Sequence, residues 1–150
     1  MILVIGRQDF VINLADMLRP FMQTLKHVIV KIRVFGDYDG VDLLFGINSE
    51  LEDMRTKNII ETVAIEIWGR LRASYRREDD WGHSRLDEVL TSPGWVSLKK
   101  VSLTMSIITF GKRYESDEVA LRMLCETQFP RLSSSNSVSF NFEVIPLLPP

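Results

Sequence analysis

The sequence predicts an α/β fold built as a solenoid-like arc of about five parallel strands, with the helices on one, convex side. Three observations predict it. First, Val101, Leu103, Met105 and Ile107 alternate with Ser102, Thr104 and Ser106, the period of two expected of a half-buried strand. Second, the phrase recurs at Val28, Val30, Ile32 and Val34, at Val63, Ile65 and Ile67, and at Val138, Phe140, Phe142 and Val144. Its first positions are spaced by 35, 38 and 37 residues, which leaves room for one helix between strands and suggests strand-helix repeats. Third, the alternate positions are not apolar: Lys31 and Arg33, then Ala64, Glu66 and Trp68, then Ser102, Thr104 and Ser106, then Ser139, Asn141 and Glu143. A sheet covered by helices on both faces carries strands that are apolar throughout, so this one is wet on one face. A two-layer α/β sandwich with one open face is the alternative.

Length and composition set the frame. The 150 residues fit a single domain of about four strand-helix repeats, large enough to bury about two-thirds of its unfolded surface. An apolar fraction of 45% and a charged fraction of 25% are ordinary for a globular chain, and a net charge of -2 gives no overall attraction to nucleic acid or acidic membranes. Met1 to Ile5 is apolar, but Arg7 and Asp9 follow at once, so the run is too short for a signal-peptide core or a membrane span. The single cysteine, Cys125, excludes an internal disulfide and fits a reducing, intracellular setting, cytoplasmic or nuclear.

Taken in order, residues 1–5 read as a first strand, and a chain that starts inside a sheet element suggests a module of something longer. Asp9 is a candidate N-cap for a helix whose apolar stripe is Phe10, Leu14, Met17, Leu18, Phe21, Met22 and Leu25. Pro20 should end or kink that helix near Arg19, because it lacks an N–H and its ring clashes with the preceding turn. Residues 28–35 form the second strand, and Gly36 to Gly40 a turn. Leu43, Leu44, Ile47 and Leu51 suggest a helix, and the third strand runs from about Ile60 to Trp68. The charged stretch from Arg70 to Asp80 reads as a solvated loop. Ser84 and Asp87 resemble a capping box for a short helix that buries Leu86, Val89 and Leu90, closed by Pro93 and Gly94. After the fourth strand, Ser116 is a cap for a helix with Asp117 and Glu118 in its first turn and Val119, Leu121, Met123 and Leu124 on its apolar side. Pro130 stops it, and the run Ser133 to Asn136 links it to the last strand. The proline-rich tail from Pro146 cannot be regular structure.

Two phrases then carry a family resemblance. One runs from Leu86 to Val101 (Leu-Asp-Glu-Val-Leu-Thr-Ser-Pro-Gly-Trp-Val-Ser-Leu-Lys-Lys-Val), and the other is Phe129-Pro-Arg-Leu-Ser leading into Val138 to Phe142. This phrasing of helix, proline, leucine and strand resembles the carboxy-terminal repeats of the F-box-like proteins of mushroom-forming fungi, which are irregular and leucine-rich. The likeness is strongest over about residues 60–145. It implies a leucine-rich-repeat-like arc, protein binding on the concave face and substrate selection for a ubiquitin ligase. The regular Leu-x-x-Leu-x-Leu-x-x-Asn consensus is missing, and Ser135 stands where Leu25, Ile60 and Leu98 stand in the earlier repeats. No Leu-Pro-x-Glu helix of the type that docks the ligase adaptor occurs in these residues, so that adaptor is an expected partner only where an F-box is carried elsewhere.

Candidate chemistry is thin. Asp79, Asp80 and His83 lie close together, but Asp-Asp-x-x-His is not an established ligand spacing, and solvated charge at a helix start is the expected role. Arg70, Arg72, Arg76 and Arg77 form one basic cluster that Glu78, Asp79 and Asp80 offset at short range, so nucleic acid is not an expected partner. The glycines at 36, 40 and 111 lack phosphate-loop spacing, Cys125 reads as a small core residue, and no Gly-x-Ser-x-Gly hydrolase elbow or His-Glu-x-x-His zinc motif is present. No cofactor is expected.

The expected function is therefore non-enzymatic protein recognition through the concave face by Lys31, Arg33, Glu66, Trp68, Thr104, Asn141 and Glu143. Trp68 beside Arg33 has the composition of a binding hot spot, unless the following loop folds over it. The competing expectation is a small α/β enzyme or phosphate- or metal-dependent regulator, with Asp37, Asp39, Arg70 and Lys112 clustered at the carboxyl ends of the strands.

Overall fold

The computed structural model describes residues 2–5, 13–34, 45–70, 83–108, 119, 123 and 127–147. Strands β1 (Ile2–Ile5), β2 (His27–Val34), β3 (Thr62–Arg70), β4 (Lys100–Ile108) and β5 (Ser139–Leu147) alternate with helices α1 (Leu14–Leu18), α2 (Phe45–Met54), α3 (His83–Leu90) and α4 (Pro130–Ser134). The strands form one sheet in the order β1-β2-β3-β4-β5, and every neighbouring pair is parallel. Strand order that follows chain order needs every crossover to advance by one strand, which is what alternating strands and helices deliver.

The two faces of the sheet are unlike. Val28, Val30, Ile32, Val63, Ile65, Ile67, Val101, Leu103 and Met105 are all buried on the inner face. They share one core with Leu14 and Leu18 of α1, Ile47, Leu51 and Met54 of α2, Leu86, Val89 and Leu90 of α3 and Leu132 of α4. Every described helix thus packs on that face. The spacing of 47, 51 and 54 is one helical stripe, and burying each such side chain is worth about 1.5–3 kcal/mol before the entropy of ordering it. The fold is α/β with its helices and core on the inner face of a parallel sheet.

Two carboxylates tie the helices together. Glu50 of α2 accepts the N–H groups of Asn13 (2.9 Å) and Ala15 (2.7 Å), and so caps α1 from outside. Asp87 of α3, only 2% exposed, accepts the N–H groups of Arg131 (2.9 Å) and Leu132 (2.8 Å) at the start of α4. Asp87 is therefore not half of a local capping box: Ser84 lies inside α3, and the carboxylate is spent on donors 44 and 45 residues away. Asn58, also buried, closes the link from α2 to β3 by donating to the Met54 carbonyl and accepting from the Ile60 N–H. The turn after α3 passes so close to the end of α2 that a Cβ on Gly94 would lie 2.8 Å from the Arg55 carbonyl oxygen, which leaves glycine as the residue that fits.

Several boundaries differ from the sequence reading. The described part of the first helix starts at Leu14, and Asp9 and Phe10 lie outside the described residues. Pro20 acts as expected: the helix tightens into a 3-10 turn over Arg19–Phe21. That change narrows the buried stripe to Leu14, Leu18, Met22 and Leu25 and leaves Met17 and Phe21 exposed. Strand β3 begins at Thr62 rather than Ile60 and extends through Arg70, which is strand rather than loop, and β5 runs on through Pro146 to Leu147, residues expected outside regular structure. Val119 and Met123, expected on an apolar helix side, are both exposed. Leu121, Leu124, Cys125, Ser116 and the turn from Gly36 to Gly40 lie outside the described residues.

The largest correction is in β5. Val101 pairs with Phe140, not Val138, so the last step is 39 residues rather than 37. Two extra residues are taken up before the strand, where the Ser135 hydroxyl accepts the N–H groups of Ser137 (3.3 Å) and Val138 (3.1 Å). Phe140 and Phe142 then pack against the core at the sheet's edge, with the Phe129 ring 5.3 and 6.2 Å from theirs.

Candidate functional site

The outer face of the sheet holds no buried residue among those described. Register sorts it into rows that run across the strands. Ile29, Ala64, Ser102 and Asn141 share one row, and Lys31, Glu66, Thr104 and Glu143 the next. Arg33, Trp68, Ser106 and Ile145 form a third. Neighbours in a row are about 4.8 Å apart, and successive rows about 6.7 Å.

All seven residues expected to bind a partner lie on this face, and register makes neighbours of six of them: Lys31, Glu66, Thr104 and Glu143 along one row, and Arg33 with Trp68 in the next. Lys31 Nζ lies 2.8 Å from Glu66 Oε2, with both side chains 41% exposed. An ion pair this open contributes little to stability, about 0–1 kcal/mol, and leaves both groups available to a partner. Arg33 and Trp68 are register neighbours, and Trp68 is 39% exposed, so its ring presents surface to solvent. The longer last step places Glu143 opposite Thr104, and Ile145 takes the position beside Ser106 in the tryptophan row. Asn141 stands opposite Ser102.

Several outer-face residues are absent from the sequence reading, among them Ile29, Lys100 and Ile145. Lys100 precedes Ser102 by two positions and is exposed on the same face, and Ile145 follows Glu143 by two. Continuing the period of two by one step at each end of the strands is the signal that finds them.

At the N-terminal rim of the sheet, the Lys26 carbonyl accepts from Glu61 and Thr62, the Glu61 carbonyl from Lys99 and Lys100, and the Lys99 carbonyl from Ser139. On this ladder the Glu61 carboxylate lies between Lys99 Nζ (2.9 Å) and Lys26 Nζ (3.2 Å). The hydrogen bond from Lys99, then that from Lys26, hold its pKa below the ordinary carboxyl value. Glu52, between Arg85 and Arg55 on the helical side, is lowered chiefly by its hydrogen bond from Arg85.

The competing site at the strand ends cannot be built from described residues. Asp37, Asp39 and Lys112 lie outside them, and for Arg70 only its backbone place in β3 is fixed. Asp79, Asp80, Arg72, Arg76 and Arg77 are outside as well, and His83 is fixed only as the first residue of α3. Among the described residues no group of three or more His, Cys, Asp or Glu side chains is placed to share a metal ion. No described helix is long and apolar enough to cross a membrane. Comparison of the chain with protein-family models, with curated proteins and with solved structures finds no match.

Proposed function

We propose that this chain is a non-enzymatic protein-recognition module that binds its partner on the open face of the sheet, through Lys31, Arg33, Glu66, Trp68, Thr104, Asn141 and Glu143. The observation that carries the reading is the pairing of Arg33 with a 39%-exposed Trp68 on a face that has no described helix over it. Aromatic rings and arginines are the side chains that most often dominate binding energy, and Trp68 offers part of its ring to such a contact.

The fold reading that goes with it is a leucine-rich-repeat-like arc. Packed helices need about 8–10 Å between axes, whereas strands need about 4.8 Å. One helix per strand, all on one side, therefore bends the sheet with the helices outside and the open face concave. The resemblance of the repeats after residue 60 to F-box-like proteins adds substrate selection for a ubiquitin ligase, with the ligase adaptor as a second partner only where an F-box is present elsewhere.

The test is capture of partners from the source cells with the tagged chain, beside a variant carrying Arg33→Ala and Trp68→Ala. The expected result is a set of proteins retained by the wild type and lost from the variant, with ligase components among them if the ligase role holds. Equal recovery by both proteins, with both equally folded by circular dichroism, would remove the open face as the binding surface.

A further inference from the structure

The open face is not uniform: small side chains run along β4, and bulkier ones flank them on both sides in the Thr104 and Ser106 rows, so that β4 forms the floor of a shallow channel one strand wide. The outward residues of β4 are Ser102, Thr104 and Ser106, each small and each bearing a hydroxyl. On the β3 side stand Ala64, Glu66 and Trp68, and on the β5 side Asn141, Glu143 and Ile145. The walls are two strand spacings apart, about 9.6 Å, which admits an extended chain but not a helix of about 10–12 Å diameter. The floor hydroxyls repeat about every 6.7 Å, the two-residue repeat of an extended chain, so they can pair with every second peptide group of an occupant.

Charge then gives the channel a direction. Lys100 stands exposed at one end, one row before Ser102. Two rows on, Glu143 stands exposed beside Thr104, while Glu66 on the opposite wall is already neutralised by Lys31. Neither Lys100 nor Glu143 forms an ion pair with another described residue. One row further, Trp68 and Ile145 flank Ser106 with apolar surface. The channel therefore reads, row by row, as basic, small and polar, acidic, apolar.

We propose that the channel along β4 binds an extended peptide segment of a partner protein, in which an acidic residue, a small residue, a basic residue and an apolar residue follow one another at every second position. The acid faces Lys100, the small residue packs among Ala64, Ser102 and Asn141, the base faces Glu143, and the apolar side chain lies between Trp68 and Ile145. Acid and base are thus four positions apart with the apolar residue two beyond the base, in either chain direction. The inference rests on the recognition reading above and specifies its ligand.

The test uses random dodecapeptides displayed on phage, selected against the full chain and against a charge-swapped variant carrying Lys100→Glu and Glu143→Lys. Both positions are exposed, and equal melting temperatures verify that the swap leaves the fold intact. The wild type is expected to enrich the acid, small, base, apolar order, and the swapped protein to enrich the order with acid and base exchanged. A synthetic peptide of the wild-type consensus should bind the swapped protein at least about tenfold more weakly, since two like-charge juxtapositions replace two attractive ones. Thr104→Arg, which fills the channel floor without touching the core, should abolish binding. Enrichment of identical sequences by both proteins, or of sequences without the four-residue charge spacing, would overturn the proposal. If such sequences are still lost from Trp68→Ala, recognition by the open face stands and only the β4 channel falls. If wild type and Trp68→Ala select nothing different, both fall.

Discussion

Val30, Ile65 and Leu103 lie side by side on the inner face of the sheet, while Lys31, Glu66 and Thr104, one residue further along the same strands, lie side by side on the outer face. The first row is at most 2% exposed, and the second is half in water. Backbone hydrogen bonding is shared, so the difference between the rows is entirely in what covers them. On the inner face helices remove apolar surface from water, and position determines stability. On the outer face no described helix removes surface from water, so its side chains are free to be selected for chemistry. An ion pair, a tryptophan and a line of hydroxyls occupy positions that a two-sided sheet would fill with valine and isoleucine.

Adjacent residues of β4 differ most in what their loss should do. Leu103→Ala should lower unfolding free energy by about 2–5 kcal/mol, through lost transfer free energy and a cavity the core cannot fully close. Thr104→Ala, its neighbour, should change it by no more than about 0.5 kcal/mol. Urea unfolding of the two variants beside wild type measures both. A large loss at Thr104 would mean that the outer face is covered in the folded chain.

A smaller effect sharpens the same contrast on the polar side of the core. Asp87 is the one charged residue buried among the described residues, and it is tolerated because each carboxylate oxygen receives its own backbone N–H. Asp87→Ala leaves the donors of Arg131 and Leu132 without partners and should cost about 1.5–3 kcal/mol. Asp87→Asn, which keeps one acceptor, should cost less. Glu50→Ala, which removes the corresponding cap from the more exposed start of α1, should cost about 1 kcal/mol, the usual worth of an N-cap. Equal losses at Asp87 and Glu50 would show that burial is not what sets the strength of these clamps.

How much of this could be read in the chain depends on which interactions are local. Alternation in β2, β3 and β4 assigns each residue to a face, and the spacings of 35 and 38 residues already place Lys31 beside Glu66 and Arg33 beside Trp68. A shift by two residues leaves every side chain on the same face, so periodicity is blind to it. The place of Glu143 therefore depended on the Ser135 turn, whose hydrogen bonds no pattern of apolar residues reveals. Asp87 misled for a related reason: a serine three positions before an acid looks like a local cap, and its real partners are in another repeat. Met17 and Phe21 belong to the helical stripe that the sequence shows, but the stripe does not say how many of its members the neighbouring layer can reach.

The smallest expected effect is at the rim where the two faces meet. Glu61 stands between Lys99 and Lys26, which hold its pKa below the ordinary value of 4.5. As pH falls below 4.5 the unfolded chain takes up this proton before the folded one does, so the unfolded state binds more protons and stability falls with pH. The contribution of Glu61 is fully present above that value and disappears as pH drops through the lowered native one. Glu61→Gln should therefore flatten the loss of melting temperature on acidification, with little change near neutrality beyond that of the lost ion pairs. Lys99 is the larger cause, so Lys99→Met should return the carboxyl further toward 4.5 than Lys26→Met does, as followed by NMR titration of the Glu61 side chain. Added salt should reduce both differences, because the three groups are solvent-facing and screened. A Glu61 titration that neither lysine substitution moves would mean that the ladder of backbone hydrogen bonds, and not the charge row laid over it, aligns the strand starts.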